Sequence, residues 1–149
     1  MQIAEHRSSR ATARVLMVED SAPYRAYLTS LLDSHPRFSV VDEAYEGLGA
    51  LEKARQWKPD IILMDIGLPR LNGIEAARRI VREASPHSRI VFLSQDTAPE
   101  LVRAAMELGA SGYVFKSEAE NDLLAAMDAA LTGERFFSRR NGHSSKSQT

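Results

Sequence analysis

The sequence of 149 residues contains no cysteine, which excludes disulfide bonds, thiolate metal sites and thiol catalysis. No apolar run approaches the length of about 18 residues that a membrane-spanning helix needs. Residues 1–13 also lack the apolar stretch of a signal peptide. We therefore expect a cytoplasmic location and no membrane partner.

The chain has almost no net charge, but its balance of −1 is unevenly distributed. Residues 1–14 carry +2 and residues 134–149 carry +3, so the part between them carries −6. An acidic body with short basic ends is not typical of a nucleic-acid-binding domain, and we expect no nucleic acid binding by this chain itself. The polar ends predict disordered segments at 1–13 and 138–149, around one domain at 14–137.

Five short apolar runs predict β-strands, and four of them are nearly continuous in apolar character. Such runs are typical of parallel strands that are covered on both faces. They lie at residues 15–18, 38–41, 61–64, 90–93 and 113–115. Helical patterns fill the gaps between them, which predicts an α/β fold with a five-stranded parallel sheet. The expected topology is flavodoxin-like, (βα)5, with strand order 2-1-3-4-5.

Residues with cap-forming side chains mark the beginnings of three of these helices. Ser21 is expected to cap the first helix, with Pro23 in its first turn. Thr97 and Ser117 are each followed by a glutamate three residues later, so both fit the capping box. The pattern therefore predicts that these two residues open the fourth and fifth helices.

Polar side chains follow four of the five apolar runs, and a parallel sheet would gather them at one edge. Glu19 and Asp20 follow the first run, Asp65 the third, Ser94 the fourth and Lys116 the fifth. Clustered carboxylates repel one another unless a cation compensates, and Mg²⁺ prefers oxygen ligands of this kind. A lysine and a hydroxyl beside them would suit phosphate oxygens. The set predicts an anion site with a metal ion and a carboxylate nucleophile for phosphoryl transfer.

The same residues carry a resemblance to a known family. Besides the acidic pair and Lys116, the segment 65–69 (Asp-Ile-Gly-Leu-Pro) with Asn72-Gly73 just beyond it resembles the receiver domain of two-component response regulators. The resemblance covers about residues 14–133. The segments 108–117 and 133–138 are similar to the receiver subgroup that is usually joined to a helix-turn-helix output domain.

The resemblance implies a role for each site residue. Asp65 would accept a phosphoryl group from a sensor histidine kinase, and Lys116 would pair with the phosphoryl oxygens. Mg²⁺, with Mn²⁺ as a substitute, would be held by Asp20, Asp65 and the backbone carbonyl of Gly67, with Glu19 assisting through water.

The resemblance also implies a conformational switch. Ser94 would bond the phosphoryl group and Tyr113 would swing inward, which would change the face formed by the fourth helix, fifth strand and fifth helix. That face would control a downstream protein partner or a self-dimer. The chain would promote its own phosphorylation and dephosphorylation without being a turnover enzyme.

Three other functions compete with this interpretation. A flavin-binding module needs a hydroxyl- and glycine-rich loop after the first strand, but the loop at 20–23 is acidic and lacks glycine. A haloacid-dehalogenase-type phosphatase needs a second aspartate two residues after the nucleophile, where this chain has Gly67. The remaining alternative is a receiver that acts only as a protein-interaction module without phosphorylation.

Overall fold

The computed structural model describes residues 12–139 and 144–146 as an alternation of strands and helices. The strands are β1 (Ala13–Val18), β2 (Phe38–Ala44), β3 (Ile61–Asp65), β4 (Arg89–Ser94), β5 (Gly112–Phe115), β6 (Phe136–Ser138) and β7 (Ser144–Lys146). The helices are α1 (Ala22–Asp33), α2 (Gly47–Trp57), α3 (Gly73–Arg79), α4 (Pro99–Glu107) and α5 (Ala119–Leu131). A π-helical turn, Ile80–Ala84, continues α3, and a 3₁₀ turn, Lys116–Glu118, precedes α5.

The sheet contains the predicted parallel core and extends beyond it at one edge. Its strand order is β2-β1-β3-β4-β5-β6-β7, which confirms the order 2-1-3-4-5 for the first five strands. The prediction of only five strands was wrong, because β6 pairs in parallel with β5 and β7 pairs antiparallel with β6. Pairing with β5 lets Phe136 and Phe137 bury their rings to 6% and 8% exposure.

The segment predicted to form an unfolded tail, 138–149, therefore includes the last residue of β6 and the whole of β7. Ser138 belongs to β6, and residues 144–146 form β7. Residues 140–143 and 147–149, as well as most of the predicted N-terminal segment, lie outside the described residues. The domain boundaries at 14 and 137 remain predictions.

Two apolar layers cover the two faces of the sheet. Alternate residues of β3 divide between them, with Ile62 and Met64 in one layer and Ile61 and Leu63 in the other. All five residues of β3 are buried, which explains why the apolar run is continuous and not alternating. Burial on both faces fixes the central strands and so holds their carboxyl ends in place.

Of the three N-caps predicted from the sequence, one is present in the structure and two are not. The hydroxyl of Ser21 accepts a hydrogen bond from the Tyr24 amide, as expected of an N-cap. Thr97 does not cap α4, because the helix begins one residue later than predicted, after Ala98, and no described side chain accepts a hydrogen bond from its first turn. Ser117 lies inside the 3₁₀ turn, so α5 also begins later than its capping box predicts.

Candidate functional site

The carboxyl ends of four neighbouring strands converge on one cavity of about 420 Å³. Glu19 and Asp20 enter it directly after β1, and Asp65 and Ser94 are the last residues of β3 and β4. Lys116 follows β5 and lines the same cavity. The structure therefore brings together the residues that the sequence placed at one edge of the sheet.

Three carboxylates form the acidic part of this cavity. Ligand oxygens of Glu19, Asp20 and Asp65 all lie within 4.8 Å of one another. Glu19 is fully buried, Asp65 is 5% exposed and Asp20 is exposed at the rim. Oε2 of Glu19 accepts a hydrogen bond from the Ser21 amide at 3.1 Å, which orients this buried carboxylate.

The ammonium group of Lys116 reaches into the acidic cluster. Its Nζ lies 2.9 Å from Oε1 of Glu19 and 3.6 Å from Oδ1 of Asp65. The sequence did not indicate the contact with Glu19. One positive charge thus faces three carboxylates, which leaves the cluster with an excess of negative charge.

Burial and the neighbouring charges shift the pKa of the Asp65 carboxyl group. Burial, together with the nearby Glu19 carboxylate, raises the pKa of Asp65 from 3.8 to about 6. Lys116 and the Gly67 amide, which donates to Oδ1 of Asp65 at 3.1 Å, oppose this rise in pKa. The charged form of Asp65 is therefore held at a free-energy cost.

The donor atoms of the cluster fit a hard divalent cation. All three side chains offer carboxylate oxygens, the ligands that Mg²⁺ prefers, and their charge exceeds that of the single lysine. A cation among them would favour the ionised form of Asp65 and offset its burial. Gly67 lines the cavity and is exposed, so its backbone is accessible from the same side.

Ser94 and Tyr113 are linked through the backbone of one residue, Asp96. The hydroxyl of Ser94 accepts a hydrogen bond from the Asp96 amide at 2.9 Å. The hydroxyl of fully buried Tyr113 donates to the Asp96 carbonyl at 3.0 Å. A movement of either side chain would therefore displace the segment that leads from β4 into α4.

A close backbone approach fixes the loop after Asp65. The side chain of Asn72 caps α3 by accepting from the Glu75 amide, and the Gly73 amide donates to the Ile66 carbonyl at 2.9 Å. A Cβ atom at Gly73 would overlap the carbonyl oxygen of Asp65 and lie 2.8 Å from the Cα of Ile66. Glycine is therefore required where α3 begins beside the acidic cluster.

Two residues at the site make contacts that the sequence did not predict. Tyr24 was interpreted only as part of the apolar face of α1, yet its ring lies beneath the ammonium of Lys116. Asp96 joins Ser94 to Tyr113 through backbone atoms, which no side-chain pattern reveals. Both contacts depend on tertiary packing.

The structure thus combines a mainly parallel α/β sheet with an acidic cluster and a lysine at its carboxyl edge, as expected of a receiver domain. A comparison with protein families identifies residues 15–128 as a response regulator receiver domain. The chain belongs to this family. The prediction of a receiver domain of a two-component system is thereby confirmed.

Individual relatives agree with this assignment. The nitrate/nitrite response regulator protein NarL of Escherichia coli strain K12 is 35% identical over 131 residues, covering 88% of this chain and 60% of NarL. The crystal structure of a LuxR-family two-component response regulator from Aurantimonas sp. SI85-9A1 matches with a TM-score of 0.81 and 34% identity, covering 88% of this chain and 92% of that one. These matches confirm the predicted likeness to receivers joined to helix-turn-helix output domains.

A chain in the CheX–CheY–BeF3–Mg complex of Borrelia burgdorferi also matches, with a TM-score of 0.74 and 25% identity. The match covers 80% of this chain and 89% of the other. This chain spans about 60% of the length of the curated relative NarL. Within the described ranges 12–139 and 144–146, no helix is long and apolar enough to cross a membrane.

Proposed function

We propose that this receiver domain accepts a phosphoryl group on Asp65 from the phosphohistidine of a sensor histidine kinase, in a reaction that requires Mg²⁺. The observation that carries the proposal is the burial of Asp65 inside an acidic cluster with Lys116 at 3.6 Å. A carboxylate in this setting is an established type of acceptor for covalent phosphoryl transfer. The Borrelia complex, with its BeF3 and Mg, supports the same chemistry for the fold.

The transfer would proceed by direct displacement at phosphorus. A carboxylate oxygen of Asp65 forms a new bond to phosphorus as the bond from phosphorus to the kinase histidine breaks. The bonding electron pair returns to the imidazole nitrogen. The product is an acyl phosphate on Asp65, and Lys116 would pair with its oxygens. Positioning and charge neutralisation supply most of the rate in such reactions.

The metal ion would be held by Asp20, Asp65 and the backbone carbonyl of Gly67, with Glu19 acting through water. When bound, the ion would neutralise the negative charge that the carboxylates and the phosphoryl group share. Glu19 also contacts Lys116 at 2.9 Å, so it would orient the lysine as well as the metal ligands.

The phosphoryl group would change the output face through Ser94. To bond the phosphoryl oxygens, the Ser94 hydroxyl would exchange its contact with the Asp96 amide for one with the phosphate. Tyr113 is already fully buried, so the expected inward swing from the surface does not apply to this conformation. Because Tyr113 bonds the carbonyl of the same Asp96, a movement of Ser94 would reach Tyr113 through this residue. Such a local change can bias a two-state element.

The element that would respond is the α4–β5–α5 face. Only Ala105 of α4 is fully buried, and Met106 is 41% exposed on its surface. A helix that is held by few buried side chains can move at low cost. We propose that this face engages a downstream protein partner or a second copy of the chain. The same function implies a cytoplasmic protein without turnover activity.

The alternative is a receiver that works without phosphorylation. Such a domain would gain nothing from a carboxylate that is buried at a cost and faces a lysine. The raised pKa of Asp65 shows that burial and the Glu19 carboxylate disfavour its ionised form, and a bound cation would offset this cost. These features favour the phosphoacceptor function.

Incubation with acetyl phosphate and Mg²⁺, followed by intact-mass analysis, tests the proposal. We expect one added phosphoryl group on the native chain and none on Asp65→Asn. Asp33→Asn, which alters an exposed aspartate at the end of α1, is the matched control and should be phosphorylated like the native chain. Equal phosphorylation of the Asp65→Asn variant would overturn the assignment of the acceptor.

A further inference from the structure

The ammonium group of Lys116 has three close contacts that differ in kind. Two are ionic, to Glu19 and Asp65, and the third is the face of the Tyr24 ring, whose centroid lies 4.5 Å from Nζ. A cation within about 6 Å of an aromatic centroid is attracted by the ring quadrupole. The side chain of Lys116 is only 13% exposed, so water screens this attraction weakly.

The contact of Lys116 with the Tyr24 ring responds differently from its ionic contacts when a metal ion binds or Asp65 is phosphorylated. A metal ion would compete with Lys116 for the carboxylates of Glu19 and Asp65, and phosphorylation would convert the Asp65 carboxylate into an acyl phosphate. An uncharged ring is not a ligand for Mg²⁺, because that ion selects oxygen donors. The contact with Tyr24 is therefore the one that persists while the carboxylates change partners.

Two features hold the Tyr24 ring in this position. Its amide is bonded to the Ser21 cap at 3.2 Å, which fixes the first turn of α1 beside the cavity. Its ring packs against the apolar layer beneath α1 and lies 5.4 Å from the ring of Tyr27. The lysine thus contacts a ring whose backbone and neighbours are already ordered.

The hydroxyl of Tyr24 is buried and makes no hydrogen bond to any described residue. Burial raises the pKa of this hydroxyl, so it stays neutral at the pH of the cell. A buried polar atom without a partner is costly, which indicates that the aromatic ring is the useful part of this side chain.

We propose that Tyr24 is a positioning residue that confines the ammonium group of Lys116 for phosphoryl transfer to Asp65. This inference rests on the proposed phosphoacceptor function. Without the ring, Lys116 would keep its attraction to the carboxylates in the resting site. Once a metal ion and the phosphodonor occupied the carboxylates, the Lys116 ammonium group would sample more positions. Phosphoryl transfer would then be slower.

The rate of phosphorylation by acetyl phosphate with saturating Mg²⁺ tests this role. Tyr24→Phe keeps the ring and should react within about twofold of the native rate. Tyr24→Leu removes the ring and should react about tenfold more slowly, which corresponds to about 1.4 kcal/mol, within the range of a desolvated cation–π contact. Tyr24→Met provides a second ringless variant in case the leucine variant fails to fold.

Two further measurements separate positioning from packing. Replacing Tyr24 by phenylalanines with one, two and three fluorine atoms keeps the shape but weakens the ring quadrupole, so the rate should fall stepwise. In the background of Lys116→Met, which lacks the ammonium group, Tyr24→Leu should change the residual rate by less than about twofold.

The outcomes distinguish a failure of the proposed phosphoacceptor function from a failure of the proposed role of Tyr24. If the native chain is not phosphorylated at all, the proposed function fails. If the native chain is phosphorylated on Asp65 but the fluorinated series reacts at one rate, Tyr24 does not act through Lys116. An equally large effect of Tyr24→Leu with and without the Lys116 ammonium would also overturn the positioning role.

Discussion

Replacing Asp65 by asparagine should stabilise the metal-free protein at neutral pH while it abolishes phosphorylation. The pKa of Asp65 is raised from 3.8 to about 6, chiefly by burial and then by Glu19. The folded state therefore binds a proton at this carboxylate more tightly than the unfolded chain does. Asparagine keeps the shape and an oxygen for the Gly67 amide, but it carries no charge.

The size and sign of the effect follow from proton linkage. A shift of about two pKa units is worth about 3 kcal/mol at 1.36 kcal/mol per unit. Below about pH 4, Asp65 is protonated in both states and this cost is absent. The cost grows as the pH rises from about 4 to about 6, because the unfolded chain ionises before the folded protein does, and it is complete above about 6. The stabilisation by Asp65→Asn should grow over the same interval. Mg²⁺ should reverse the order, because only the native chain retains the full ligand set.

The assay is urea unfolding of both proteins in a chelating agent, at a series of pH values between 4 and 8, with a repeat in Mg²⁺. We expect the two free energies of unfolding to coincide near pH 4 and to differ by about 3 kcal/mol in favour of the variant near pH 7.5. A variant that is less stable than the native chain at pH 7.5 without metal would refute the reasoning.

Three further predictions concern metal binding and packing. Mg²⁺ affinity, measured by calorimetry, should fall as the pH is lowered through about 6, because protonated Asp65 is a poor ligand. Gly73→Ala should lower the unfolding free energy by about 1–3 kcal/mol or more, since its Cβ would overlap the Asp65 carbonyl. The matched change Gly49→Ala, whose Cβ would meet neighbours at 3.8 and 3.9 Å, should not destabilise the protein in the same urea assay. Ser138→Ala should cost about 1–3 kcal/mol in thermal or urea unfolding, because the buried carboxylate of Asp122 would lose a hydroxyl donor at 2.7 Å; an unchanged midpoint would contradict that estimate.

The parallel core could be predicted because its apolar runs are long and continuous. Burial of β3 on both faces leaves a clear signal in the sequence, and right-handed crossovers restrict the strand order. The position of Asp65, Ser94 and Lys116 then follows from the rule that parallel strands end at the same edge. The convergence of these side chains could therefore be predicted without knowing any tertiary contact.

The two added strands could not be predicted in the same way. Each has three residues, and β6 is stabilised by contacts that are distant in sequence. The Phe136 amide bonds the Ser111 carbonyl, and the Ser138 hydroxyl accepts from the Phe115 amide while it donates to Asp122. The polar composition from residue 138 onward favours disorder, but these tertiary bonds hold Ser138 in β6 beside two buried phenylalanines.

Two of the three predicted helix caps were wrong for a related reason. Thr97 has the right side chain for a cap, but the helix begins after Ala98, and the Asp96 carboxylate binds the Ala98 amide in the turn before it. Such local side-chain bonds compete with helix formation, and a sequence pattern does not rank them. The contact of Tyr24 with Lys116 was missed because an aromatic residue on a helix face predicts packing, and the nearby ammonium group comes from a strand end 92 positions away along the chain.

Mapping the phosphoryl group on the native chain tests the central claim most directly. After reaction with acetyl phosphate and Mg²⁺, reduction of the acyl phosphate with borohydride would convert the acceptor aspartate to homoserine, which peptide mass spectrometry can locate. We predict homoserine at position 65 and its loss when Mg²⁺ is removed by a chelating agent. Homoserine at Asp20 or another carboxylate in place of Asp65, or labelling that does not depend on the metal ion, would contradict the account.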